Sequence, residues 1–134
     1  QGADHTAGNV PGHKSADMTT EELTEASLDI QTQCAAADSL GLCLFGRSVT
    51  SVNLDLIVRT LNDAHGTNFD ASFFNDLGRE ALALEWEFNR QAGFTESDDE
   101  LPAFFYEEAL APSGKVARHH SGVVNQHLRS LMDG

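Results

Sequence analysis

Apolar residues recur along this chain at intervals of three and four, and no segment shows the period-two alternation of a strand. That spacing admits helices and little else. Leu54, Ile57, Val58 and Leu61 share one helical face, and Phe73, Leu77, Ala81, Leu84 and Phe88 share another. Thr19 stands three residues before Glu22, the spacing at which a hydroxyl and a carboxylate each satisfy an unpaired backbone N–H at a helix start. A helix is expected over residues 20 to about 37, with Leu23, Ala26, Leu28, Ile30, Cys34 and Ala37 on its apolar side. A second is expected over residues 52 to 64, stopped by Gly66. A third starts after Asp70 or Ser72, runs to about residue 91 and ends at Gly93. Short helices are expected over residues 103–110 and 123–132. Gly2, Gly8, Asn9, Pro11 and Gly12 make residues 1–18 a loop. Residues 94–102 read as an acidic, solvated loop. No internal repeat is present. The expected fold is all-α, one irregular multi-helix domain over residues 1–134.

A length of 134 residues suits one core. The 21 acidic and 8 basic side chains leave a net charge of −13. Such a chain repels nucleic acid, whose phosphates need Lys and Arg, and gains nothing from an anionic membrane surface. Its acidity serves solubility, or attracts a basic partner. No apolar run approaches the roughly 20 residues of a membrane span, and the first residues lack the apolar core of a signal peptide. The two cysteines, Cys34 and Cys43, are expected to be reduced, in a cytoplasmic setting. The chain opens on Gln1 and runs straight into a dense polar stretch, the expected look of a cut inside a larger protein.

Asp38-Ser39-Leu40-Gly41-Leu42-Cys43 is the most informative segment. Two glycines, Gly41 and Gly46, bracket an unusually apolar stretch, which reads as a buried loop or a helix break. Read alone, each residue has an ordinary explanation. Cys43 is a small buried hydrophobe, Asp38 a turn residue, Gly41 a helix cap, Leu42 core, and His5 a loop histidine bonded to a backbone carbonyl. Three histidines, His119, His120 and His127, lack the paired spacing of a zinc site. Cys34 reads as core.

The spacing Asp38-x-x-Gly41-Leu42-Cys43 resembles a pterin-cofactor motif of the aldehyde:ferredoxin oxidoreductase family. Leu84-Glu85-Trp86-Glu87-Phe88-Asn89-Arg90-Gln91-Ala92-Gly93-Phe94-Thr95 resembles a helix and turn near that family's C-terminus. Asp98-Asp99-x-Leu101-Pro102 with Phe104 or Phe105 looks like its continuation, and Gly2-Ala3-Asp4-His5-Thr6 lies where such enzymes carry an active-site histidine. The likeness is poorest from Val116 to Gly134. The three clustered cysteines, further pterin contacts and catalytic glutamate of the family's first domains have no counterpart here.

The resemblance implies a role for each residue. Cys43 becomes the fourth thiolate of a [4Fe–4S] cluster. Asp38 accepts side-by-side hydrogen bonds from the pterin's amino and ring N–H groups. Gly41 permits close backbone approach, and Leu42 sets a backbone group and an apolar side chain against the cofactor. His5 polarises an aldehyde oxygen or shuttles a proton, with residues 1–18 lining the active site. The implied enzyme oxidises an aldehyde to a carboxylic acid at a tungsten or molybdenum bis-pterin centre and passes electrons through the cluster to ferredoxin. Its partners are the N-terminal domains of the same enzyme, ferredoxin and the aldehyde. The chain by itself is expected to be inactive and to carry neither pterin, metal nor cluster. The surface of Leu40, Leu42, Leu44 and Phe45 is then expected to collapse, become mobile or enter a homodimer contact. Two other readings stay open: a non-catalytic acidic helical interaction domain, and a related reductase of aromatic thioesters using the same cofactor.

Overall fold

The computed structural model describes residues 8–10, 15 and 17–132, and the backbone alone of Leu44 and Arg47. Among these residues six α-helices occur in chain order: α1 (Thr20–Ser39), α2 (Arg47–Thr50), α3 (Leu54–His65), α4 (Phe73–Gln91), α5 (Phe104–Glu107) and α6 (Ser121–Met132). Two 3₁₀ turns, Leu44–Gly46 and Glu96–Asp99, complete the set. The described residues hold no strand; Leu110 and Lys115 form an isolated antiparallel bridge. The all-α expectation holds.

Helix α1 begins as its sequence dictates. The Glu22 N–H donates to Thr19 Oγ1 at 3.2 Å, and the Thr19 N–H donates to Glu22 Oε2 at 2.9 Å. The helix runs two residues beyond the expected end. Its buried face is more polar than expected: Thr24, Leu28, Thr32, Cys34, Ala36 and Ala37 are buried, whereas Leu23, Ala26 and Ile30 are only half-covered. Thr24 is tolerated because its hydroxyl donates to the Thr20 carbonyl at 2.7 Å.

These small and β-branched residues let α4 lie close against α1. At the crossing stands Gly78. A methyl group there would overlap the Thr32 backbone, reaching 2.8 Å from its carbonyl carbon. Ala36, Ala37 and Phe74 form a small buried cluster beside the crossing, with Leu40, Leu42, Leu54 and Leu77 packed on it. Helix α3 joins through this cluster and buries Val58. Helix α6 packs on the other flank of α1, and Arg79 of α4 donates to the Leu131 carbonyl at 2.9 Å.

Two expectations need correction. The apolar stripe of α4 is not its buried face: Phe73, Leu77 and Ala81 are half-buried, Leu84 and Phe88 are 65% and 72% exposed, and the helix buries Phe74 and Gly78 instead. Helix α1 runs beside this half of α4, sharing a cleft lined by Leu28, Gln31, Glu85 and Trp86, so Leu84 and Phe88 lie off the contact face. The acidic loop is exposed but structured. Thr95 and Asp98 cap its 3₁₀ turn reciprocally, Arg129 pairs with Glu96, and Asn125, itself buried, donates to Asp99 at 3.2 Å.

Candidate functional site

The segment 38–43 is built by the way α1 stops. The Leu42 N–H donates to the Ala37 carbonyl at 2.8 Å and the Gly41 N–H to the Asp38 carbonyl at 3.0 Å. This paired closure requires a left-handed residue between, and Gly41 supplies it with φ 66°. Leu42 is half-buried on the Ala36–Ala37–Phe74 cluster. The ordinary reading of Gly41 as a cap is therefore correct, and Leu42 is part of the packing as well. The helix break is confirmed, but the loop is not buried: Cys43 is exposed and not disulfide-bonded, and Phe45 is 94% exposed.

The closure has a chemical consequence. The Gly41 and Leu42 N–H groups are spent inside the protein. Among the described residues no hydrogen bond is made to the Leu40, Gly41 or Leu42 carbonyls. With the exposed Asp38 carboxylate, the loop presents acceptors, which suit a ligand rich in N–H donors.

Asp38 also lines a cleft of ≈ 570 Å³ between α1, α4, α6 and residues 99–106. Along α1, Gln31, Cys34, Ala35 and Asp38 line it at helical spacing; α4 contributes Glu85, Trp86 and Asn89. Asp99, Leu101, His119, Ser121 and Asn125 complete the lining, with Asp99 and Asn125 hydrogen-bonded to each other. Three separate stretches singled out in the sequence thus meet at one cleft. Glu85 and Asn89 were quoted in the sequence without a role. Their four-residue spacing on one helix was the available signal for a shared face. Cys43 does not line this cleft.

The rim beyond the cleft is tied down by a hydrogen-bond cluster. Glu100 takes the Ser121 N–H at 2.7 Å and meets His120 Nδ1 at 2.8 Å. The donors at Ser121, Tyr106 and His120 hold its carboxyl down at about 2. Tyr106 stacks on His120 with centroids 4.2 Å apart, and the carboxylate beside it raises its own pKa. His119 Nδ1 lies 2.8 Å from the Thr20 hydroxyl, and burial lowers its pKa.

The described residues contain no group of three or more His, Cys, Asp or Glu side chains placed to hold a metal ion. Cys34 is buried, 3% exposed, within α1. Cys43 alone offers an accessible thiol among the described residues, so this chain fits a four-thiolate cluster only as the donor of one corner. His5 and its neighbours lie outside the described residues.

No curated protein and no solved structure matches the chain. The model of the family described as aldehyde ferredoxin oxidoreductase, domains 2 & 3, matches residues 1–133. The chain belongs to the aldehyde ferredoxin oxidoreductase family.

Proposed function

We propose that this chain works as part of a tungsten- or molybdenum-pterin oxidoreductase that converts aldehydes to carboxylic acids. The observation that carries this reading is the turn at residues 38–43, which presents a carboxylate, unused carbonyls and an exposed thiol within six residues, inside a family match that spans the chain. When bound, the metal–pterin centre supplies the two-electron oxidation and the cluster the route for electrons to ferredoxin. Asp38 binds and orients the pterin by accepting from its N–H groups. The Gly41 closure fixes the carbonyls that flank it. Leu42 contributes its carbonyl and its packing, because its N–H is already committed to Ala37. Cys43 donates one thiolate to the [4Fe–4S] cluster, and the other three come from another part of the enzyme. His5 holds or moves a proton at the aldehyde oxygen.

The test is a pair of variants in the full-length enzyme. Cys43→Ala is expected to abolish the four-iron electron paramagnetic resonance signal and ferredoxin reduction, with Cys34→Ala leaving both intact. His5→Ala is expected to lower kcat by roughly 10²–10⁴-fold with metal and cluster content unchanged. An intact four-iron signal in Cys43→Ala removes the cluster assignment. Unchanged turnover of several aldehydes returns His5 to a structural role.

A further inference from the structure

The segment after Cys43 carries a run of exposed apolar residues. Phe45 stands on the 3₁₀ turn, Val49 on α2, Val52 in the turn that follows and Leu56 on α3. They are 94%, 64%, 75% and 55% exposed. The inward residues of the same stretch are different ones: Leu54 packs on the Ala36–Ala37–Phe74 cluster and Val58 is buried. The exposed residues are therefore not a poorly covered core. Large side chains left in water each forgo about 1.5–3 kcal/mol of burial, and a run of them marks an interface. It starts two residues from the exposed thiol, and the Gly46 N–H bonded to the Cys43 carbonyl at 2.9 Å fixes the 3₁₀ turn that carries Phe45.

The thiolate count identifies what covers it. A four-iron cluster takes four thiolates, and among the described residues only Cys43 is accessible. Whatever polypeptide brings the other three must approach Cys43 and close over the residues beside it. Resting on the proposed role of Cys43, we infer that Phe45, Val49 and Val52 form this chain's half of a dry wall around that cluster. The wall excludes water and holds the reduction potential low. Four thiolates already make the cluster anionic, and reduction adds one more negative charge. A low-dielectric wall penalises the more charged state. Water admitted beside the cluster would favour the reduced form and open a path for its loss.

The experiment uses the full-length holoenzyme with Phe45→Gln and Phe45→Leu. Potential is read by redox titration of the electron paramagnetic resonance signal, and persistence by iron content during exposure to air. Phe45→Gln is expected to move the potential to a less negative value and to lose iron severalfold faster. Phe45→Leu, still apolar, is expected to stay near the parent in both. An unchanged potential in Phe45→Gln, whether or not the enzyme is less heat-stable, overturns the wall and leaves Phe45 a packing residue. Where Phe45→Gln does not assemble, Val49→Thr and Val52→Thr, which keep side-chain shape, are read in the same way, with unchanged potentials again overturning the wall. A four-iron signal that survives Cys43→Ala removes the underlying reading instead; loss of that signal together with a silent Phe45→Gln removes the wall alone.

Discussion

Two glycines divide the molecule into regions that use the residue for opposite reasons. Gly78 sits in the middle of α4 without an unusual φ, and its missing side chain is what α1 needs: a methyl group would strike the Thr32 backbone. Gly41 has open space around it, with nothing within 4 Å of an added Cβ, but it adopts φ 66°. The first glycine serves packing between helices; the second serves the path of the chain. Around Gly78 the protein is closed, with Ala36, Thr32 and Phe74 buried. Beyond Gly41 it is open, with Cys43 and Phe45 exposed. The closed region spends its apolar surface on itself. The open region leaves apolar surface and a thiol exposed.

The largest expected effect tests the closed side. Gly78→Ala should destabilise the fold by roughly 3 kcal/mol, because backbone atoms of two helices must separate. Denaturant unfolding measures it. A neutral or stabilising change, as helix propensity alone would give, would break the comparison at its first half. On the open side, Gly41→Ala should cost about 1–2 kcal/mol, the ordinary penalty of a left-handed L-residue. In the holoenzyme the same change should disturb Asp38 and its carbonyl neighbours and lower pterin content. A variant with normal stability would show that the turn relaxes without the closure.

The smallest effect belongs to a third place, the cluster joining residues 100–106 to α6. Hydrogen bonds from Ser121, Tyr106 and His120 lower the Glu100 pKa from 4.5 to about 2. A carboxyl depressed in the folded state adds stability that is present above 4.5 and fades as pH falls through about 2. Glu100→Gln should therefore be less stable than the parent at neutral pH, and the gap should close on acidification across that interval. Equal stabilities at every pH would mean that this exposed cluster contributes nothing.

Local features were legible in the sequence. The Thr19–Glu22 box needs only residues three apart, and it is present. Gly66 and Gly93 were assigned as helix stops, and both have positive φ. The family was legible for the same reason, since residues 2–6, 38–43 and 84–102 form short motifs, in that order, each read without knowing its neighbours. Periodicity revealed a stripe on α4 but could not show that the buried face runs through Phe74 and Gly78, one residue over. Residues 96–99 looked like plain acidic loop because their anchors, Arg129 and Asn125, lie far along the chain.

The sequence by itself determined the longer helices, the Thr19–Glu22 cap and the turn that ends α1, because these depend on backbone hydrogen bonds and φ preferences within a few residues. Only the tertiary structure decided that Gly78 is the contact between α1 and α4, that Asp38 shares a cleft with Glu85, Trp86 and Asn89, and that Phe45 stands in the open. Burial and shared clefts depend on which helix passes behind a residue, and the spacing along one helix carries no record of that.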